Sequence, residues 1–310
     1  MKYKIGTRGS KLALKQTNDV IARLKSAYPE DEFEIVVITT TGDIEQKKSL
    51  DQIGSKGVFV QEIEEELLNG TIHAAVHSMK DMPAEAEEGL VFTRAWKRED
   101  ERDVLVLRKA AALEDLPYGA VIGTGSKRRA YQLLKMRPDI KIVGIRGNID
   151  TRLKKLNTIQ ADGTYMDGII LAAAGLKRLE MDSLITQYLS VEDVIPAPAQ
   201  GTLAIEVKAD NYELLDKFNR LSDEETELTV QVERGFLKEI GGDCHLPVAA
   251  FCDKPSAHEL RLRALFGDEE GTKLARAEVT VVCGSEKETD RVVTEVVNTA
   301  VAEIRNQLQI

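Results

Sequence analysis

Apolar and polar positions switch between two periods along the first hundred residues. Residues 3–7 and 33–39 are short, half-apolar stretches with strand character, and 72–76 is a continuous apolar run of the kind that lies buried in a sheet. Between them, residues 11–27 place Val20, Ile21, Leu24 and Ala27 on one helical face. Residues 58–68 bring Phe59, Ile63 and Leu67 back every four positions, and Asn69-Gly70 supplies a helix stop. The order predicted up to about residue 96 is β-α-β-α-β. Residues 40–57 interrupt it with a polar, glycine-containing segment bearing Lys47, Lys48 and Lys56. A connection that long is either a solvated connector or a functional loop such as a lid.

The alternation resumes over about 102–195. Strands are predicted at 104–107, 120–123, 141–145 and 168–173, with helices at 126–135 and 150–156. A further strand, 202–207, follows Pro196-Ala197-Pro198. From about 222 the pattern changes to a helix over 224–240, alternating strands at 260–266 and 275–282, and a helix over 286–308. Val293, Val296, Val297, Ala300, Val301 and Ile304 give that last helix one apolar face. The expected fold class is α/β, with two lobes flanking a central cleft and a small α+β C-terminal domain. The boundaries expected are 1–98 with 200–219, 99–199, and 220–310. At 310 residues the chain has room for these three cores.

Composition narrows the function classes. No apolar run approaches the ~20 residues needed to cross a bilayer, and the N-terminus runs straight into a strand. A cytoplasmic protein without a membrane partner is expected. A net charge of −10 argues against nucleic acid as the main partner. Cys244, Cys252 and Cys283 are an odd number without a CxxC pair, so neither a disulfide framework nor a metal centre is expected.

The candidate chemistry gathers where strands end. His77-Ser78-Met79-Lys80-Asp81-Met82-Pro83 follows the buried run 72–76 and delivers a cation and a carboxylate to a strand-end loop, the ligand-binding edge of open α/β sheets. Arg8 and Ser10 follow the first strand. Gly123-Thr124-Gly125-Ser126-Lys127-Arg128-Arg129 sits between a strand and a helix, where free N–H groups favour anions, although it matches neither Walker A nor GxGxxG spacing. Arg146-Gly147-Asn148 follows another strand, with Arg152 one turn on. Repeated arginine forks imply a ligand with several carboxylates or phosphates. Asp81, among cations, is expected to be ionised. His77 and His245 are read as packing or loop residues. Cys244, on the glycine-rich stretch 241–247, is a candidate covalent attachment point, whereas Cys252 and Cys283 lie in apolar runs and look structural.

Taken in order, Arg8 to Leu14, Lys56 to Phe59, His77 to Pro83, Gly123 to Arg129, Arg146 to Asn148, Ala174 to Leu179, Pro198 to Gly201 and the cysteine stretch resemble the porphobilinogen deaminase (hydroxymethylbilane synthase) family over nearly the whole chain. The resemblance implies two lobes like a periplasmic binding protein plus a third domain. It implies a dipyrromethane cofactor joined by a thioether to Cys244, and a transferase that deaminates porphobilinogen and links four units head to tail in tetrapyrrole biosynthesis. Carried over by motif, Asp81 is the catalytic carboxylate. Ser78, Lys80, Thr124, Ser126, Arg128, Arg129, Arg146 and Gly147 bind the cofactor. Arg8, Ser10, Gln16, Lys56, Arg152, Arg178 and Gln200 bind substrate. A monomer is expected.

Two positions depart from the family pattern. Asp243 intervenes before Cys244 where Gly-Gly-Cys is common, while the Cys-x-x-Pro spacing to Pro247 survives. Gln52 stands where some members carry a lysine, so that one carboxylate contact is either missing or supplied by Lys47 or Lys48. The rival expectation is a non-catalytic two-lobe solute-binding protein for a polycarboxylate anion, which has no use for Asp81 or Cys244.

Overall fold

The computed structural model describes residues 1–40, 60–159, 163, 165–242, 246–282 and 289–309. The chain opens with β1 (Lys2–Arg8), α1 (Lys11–Ala27), β2 (Glu32–Ile38), α2 (Gln61–Leu68), β3 (Ala74–Ser78) and β4 (Leu90–Phe92). There follow β5 (Asp103–Leu107), β6 (Val121–Gly123), α3 (Lys127–Met136), β7 (Lys141–Val143), α4 (Ile149–Leu156), β8 (Gly168–Ala172), α5 (Ala173–Arg178) and β9 (Gln187–Tyr188). The rest comprises β10 (Leu203–Lys208), α6 (Tyr212–Asn219), α7 (Glu224–Ile240), β11 (Ala249–Ser256), β12 (Glu259–Gly267), β13 (Leu274–Val282) and α8 (Thr289–Leu308).

Two compact units result, Met1–Glu99 with Gly201–Glu227, and Asp100–Gln200 with Leu228–Ile310. The first is built on a five-stranded sheet in the order β2-β1-β3-β10-β4. The β1–β2 and β1–β3 pairs are parallel, and β10 runs antiparallel to both β3 and β4. Side chains alternate across the pleat. Ala74 and Val76 of β3, with Ile205 and Val207 of β10, face a core formed with Val20, Ile21 and Leu24 of α1 and Leu214 and Phe218 of α6. Ala75 faces the opposite side, where Ile63 and Leu67 of α2 close a smaller core. The helical spacing of the α1 and α2 residues is therefore their burial pattern.

The second unit holds another five-stranded sheet, β7-β6-β8-β5-β9, again with parallel pairs (β6 with β7 and β8) and an antiparallel strand, β5. It also holds the antiparallel meander β11-β12-β13, whose inner face packs on α7 and α8 through Val232, Phe236, Leu262, Val296 and Ile304. The opposite face offers Phe251 and Leu265 to Ile195. Polar ties reinforce this seam. The Ala250 N–H donates to Pro196 O at 3.1 Å, and the Tyr131 hydroxyl donates to Glu269 O at 2.8 Å. The α+β character of the C-terminal region thus follows its sequence pattern.

The helix expected over 58–68 runs from Gln61, and 58–59 lie outside the described residues. The strand expected over 141–145 stops at Val143. Strands β4, β9 and β11 and helices α5 and α6 are additions to the expected elements, and α5 takes over at Ala173, the last residue of the strand expected over 168–173. No described helix is long and apolar enough to cross a membrane.

Candidate active site

In the first unit the expected residues collect at the C-terminal ends of two neighbouring parallel strands. β1 ends at Arg8, and Ser10 caps α1, its Oγ accepting the Ala13 N–H at 3.2 Å. A side-chain oxygen there satisfies one of the orphan amides of the first turn. From α1, the buried Gln16 donates through Nε2 to Ser78 Oγ at 3.1 Å, which fixes the end of β3 to the helix. β3 then gives way to a single 3-10 turn, Met79–Asp81. Met79 is buried and its N–H donates to Thr202 O at 3.0 Å, so the turn hangs from the start of β10. Lys80 is half-buried and Asp81 is exposed. Arg8, Ser10, Gln16, Ser78, Lys80 and Asp81 therefore belong to one sheet edge.

Behind that edge lies a buried pair of which the sequence singled out only His77, as a packing or loop residue. His77 and Glu206 are both buried, with Nε2 and Oε2 3.6 Å apart. Burial, followed by the Arg8 charge, pushes the His77 imidazole down to about 4. Burial, followed by the charges of Glu64 and Glu87, pushes the Glu206 carboxyl up to about 8.

In the second unit the same design recurs at β6 and β7. Thr124 N–H donates to Val143 O at 2.9 Å, and Thr124 Oγ1 accepts the Ser126 N–H at 3.1 Å. Ser126 caps α3, accepting the Arg129 N–H at 3.4 Å. A side chain at Gly125 would put its Cβ 2.9 Å from Ile145 O, so only glycine lets the two strand-end loops touch. Gly147 has φ +107°, and a Cβ there would meet Thr151 at 2.7 Å. Around it, Arg152 Nε donates to Gly147 O at 2.7 Å and Lys155 Nζ donates to Arg146 O at 3.0 Å. Arg146 is half-buried, as is Arg178 at the end of α5. The glycine-rich segment thus opens a helix of ten residues whose first amides are backed by cations.

Arg128 and Arg129 are buried, and their guanidinium groups meet on Asp103, the fully buried first residue of β5. Arg128 Nη1 donates to Oδ2 at 2.6 Å and to Ile195 O at 2.7 Å. Arg129 donates to Oδ1 from Nε at 3.0 Å and from Nη2 at 2.8 Å. Gln200 Nε2 donates to the same oxygen at 2.9 Å and to Glu101 O at 2.6 Å. Burial alone pushes the Asp103 carboxyl up, and the two arginine charges overcome it and hold the group well below the usual carboxylate range. Both arginines are expected from sequence on ligand carboxylates. The structure places Asp103 between them, leaving two cations and one anion, one net positive charge. Asp103 was missed because a single charge ahead of an apolar run reads as a strand boundary.

Two of the expected residues, Lys56 and Cys244, lie outside the described residues, together with the segment 41–59. The end of α7 leads toward Cys244 through Gly241, at φ +72°. The same helix carries Glu233, fully buried, which accepts the Ala199 N–H at 2.6 Å and the Cys252 N–H at 2.9 Å. Cys252 is buried and unbridged, as its apolar run implies.

Each unit by itself thus presents a strand-end edge with a capped helix start and several cations, chemistry suited to the carboxylates of a small polyanion. The donor set fits a dipyrromethane, whose pyrroles carry acetate and propionate groups. The comparisons carry this to a family. Residues 3–216 match the family model "Porphobilinogen deaminase, dipyromethane cofactor binding domain", and residues 227–301 match "Porphobilinogen deaminase, C-terminal domain". A porphobilinogen deaminase of Lachnospira eligens is 57% identical over 281 residues, covering 90% of this chain and 94% of that protein. One of Clostridioides difficile is 52% identical over 275 residues, covering 88% and 89%. Among solved structures, the methionine-binding protein MetQ is 12% identical with a TM-score of 0.42, covering 75% of this chain and 94% of that one. The chain belongs to the porphobilinogen deaminase family. It is a transferase of tetrapyrrole biosynthesis with hydroxymethylbilane synthase activity, and dipyrromethane is its cofactor. Membership of that family replaces the solute-binding alternative.

Proposed function

We propose that Asp81 is the carboxylate on which the joining of porphobilinogen units depends. When bound, the dipyrromethane supplies the pyrrole carbon from which the chain of units is begun. Porphobilinogen loses its amino group as ammonia, and the remaining methylene pyrrole carries positive charge. Asp81 accepts the pyrrole N–H and stabilises that charge more than it stabilises the neutral substrate, which is the condition for acceleration. The next pyrrole carbon attacks the methylene, forming the carbon–carbon bond, and its proton leaves. After four additions water releases the linear product.

In this reading Cys244 holds the cofactor through a thioether. Ser78, Lys80, Thr124, Ser126, Arg128, Arg129, Arg146 and Gly147 take up cofactor carboxylates. Arg8, Ser10, Gln16, Lys56, Arg152, Arg178 and Gln200 serve incoming substrate. The enzyme works as a cytoplasmic monomer on a small molecule, without nucleic acid or membrane, and its domains are 1–98 with 200–219, 99–199 and 220–310. The observation that carries the proposal is the turn Met79–Asp81, suspended by a backbone bond to Thr202 with Asp81 exposed at the strand edge.

Product formation by Asp81→Asn and Asp81→Glu tests it. Asn keeps the shape without the charge and should abolish turnover. Glu keeps the charge but displaces it by about 1.5 Å, one carbon–carbon bond, and should retain a trace, since misplacement by about 1 Å costs on the order of 100-fold. Near-normal turnover by a folded, cofactor-loaded Asp81→Asn enzyme would refute the role. Intact-mass and peptide mapping should find the adduct on Cys244 alone; unmodified Cys244 in active enzyme refutes the attachment.

A further inference from the structure

The His77–Glu206 pair has no part in the scheme above, yet the sheet places it directly under the turn that carries Asp81. In the antiparallel register of β3 and β10, Ala204 lies opposite His77 and Glu206 opposite Ala75. His77, Ala204 and Glu206 therefore share the face of the sheet that α2 covers, opposite the face of Val76 and Ile205. Along that face three side chains carry buried polar atoms without a hydrogen bond: Glu206 at both oxygens, His77 at Nε2 and Thr202 at Oγ1. Thr202 is the residue whose carbonyl suspends the catalytic turn.

A buried, unpaired carboxylate and a buried imidazolium are each costly, so the charge state of the pair decides the electrostatics of this edge. Two arrangements are possible, a carboxylate facing an imidazolium or a carboxylic acid facing a neutral imidazole. The surroundings decide between them. From β1, Arg8 opposes a proton on His77, while Glu64 of α2 and Glu87 ahead of β4 oppose a negative charge on Glu206. Among the described residues, these three charges each favour the uncharged pair. A carboxylic acid has one O–H donor and a neutral imidazole one acceptor nitrogen, so a single bond pairs Glu206 Oε2 with His77 Nε2 once 3.6 Å closes to the ~2.8 Å of an ordinary bond.

We propose that Glu206 and His77 form an uncharged acid–imidazole couple behind the catalytic turn, with Glu206 a positioning residue for the reaction. The proposal rests on the reading of Asp81 given above. The couple's role is electrostatic spacing. An ionised Glu206 would draw a proton onto His77, beside the Arg8 cation that the proposed function assigns to substrate carboxylates. That change disturbs the sheet edge from behind without touching substrate. The couple thus keeps the charge pattern of Arg8, Lys80 and Asp81 directed at the ligand.

The test compares pH profiles of cofactor-loaded wild type and Glu206→Gln. Gln cannot ionise. In the wild type kcat should fall about 10-fold between pH 7 and pH 9 through one ionisation near 8, with KM for porphobilinogen changing far less. The fall should be absent from Glu206→Gln, whatever its level at pH 7. The same alkaline limb in both enzymes overturns the proposal. Should the variant fail to fold, nitrogen-15 NMR of histidine-labelled wild type decides the matter. Of the four histidines, one ring should stay neutral down to about pH 4, and ordinary titration of all four overturns the couple. Failure of the Asp81 role is separable: turnover by Asp81→Asn alongside one neutral ring removes Asp81 and keeps the couple, while the opposite pair of results does the reverse.

Discussion

Replacing Asp103 by Asn removes one charge from a fully buried carboxylate of the second unit that two arginines share. Its Oδ2 accepts from Arg128, and its Oδ1 accepts from two nitrogens of Arg129 and from Gln200, four contacts of 2.6–3.0 Å. An asparagine has one oxygen and one NH2 group. In its better orientation the oxygen keeps Arg129 and Gln200, and the NH2 faces Arg128 Nη1, donor against donor. One charge-assisted bond is lost, about 1.5–3 kcal/mol, and two buried cations remain without their anion. Breaking a buried pair in this way costs about 3–5 kcal/mol in all, a large part of the ~5–15 kcal/mol that holds a typical domain together. Urea unfolding should show the midpoint falling at constant slope. The pH dependence has a defined sign. Asp103 titrates lower in the folded than in the unfolded chain, so its contribution is present above the ordinary aspartate range and lost as the solution is acidified. The gap between wild type and Asp103→Asn should therefore narrow below about pH 4. An apolar triple replacement, Asp103→Leu with Arg128→Met and Arg129→Met, should recover much of the stability while the purified protein carries no dipyrromethane. A loss under about 0.5 kcal/mol for Asp103→Asn, the ordinary scale of a surface change, would refute the view that the two guanidiniums depend on this carboxylate.

Stability should also report the couple in the first unit. Glu206, titrating high, contributes fully below the ordinary glutamate range and loses that contribution as pH rises through about 8; His77, titrating low, contributes above its ordinary value and loses it as pH falls toward about 4. The two slopes cancel over the shared interval and leave wild type losing about 2 kcal/mol between pH 6.5 and 8, a loss Glu206→Gln should not show; equal slopes in denaturant titrations would exclude it. Gly125→Ala should destabilise the protein by about 1–3 kcal/mol and weaken cofactor retention, because the new Cβ meets a backbone oxygen; normal melting and loading would show that the loops can part freely.

The elements most legible in the sequence were those whose period matched their burial. Val20, Ile21 and Leu24 on α1, and the apolar residues of α8, marked faces that do pack inward. The strand-end motifs were legible too: Ser10 and Ser126 read as lying where a strand gives way to a helix, and in the structure both cap the helix that follows. What stayed hidden was long-range partnership. Nothing local in Asp103 announces that Arg128, Arg129 and Gln200 converge on it. Glu206 sits in an alternating stretch where a polar residue ordinarily faces solvent, yet β10 has a strand on each side and α2 covers the face Glu206 occupies, so the residue is buried. Glu233 escaped because it occupies a helix position that its neighbours make look solvated, whereas the amides of Ala199 and Cys252 close on it.

The place of β10 in the first sheet has a consequence for how the chain is made. β3 and β4 are not neighbours; β10 lies between them and comes from beyond residue 200. As the polypeptide emerges from a ribosome, β1, β2 and β3 can pair early, but β4 has no partner until about a hundred further residues have been synthesised, among them all five strands of the second sheet. The intervening segment can therefore begin to organise while the first sheet still presents an open edge on β3, the kind of edge that invites mispairing. Only the return of Leu203–Lys208 closes that edge, and the same event brings Glu206 to His77 and Thr202 to Met79. Chains arrested before residue 203 keep that edge open, and the turn Met79–Asp81 lacks its backbone tie to Thr202 until β10 begins to emerge.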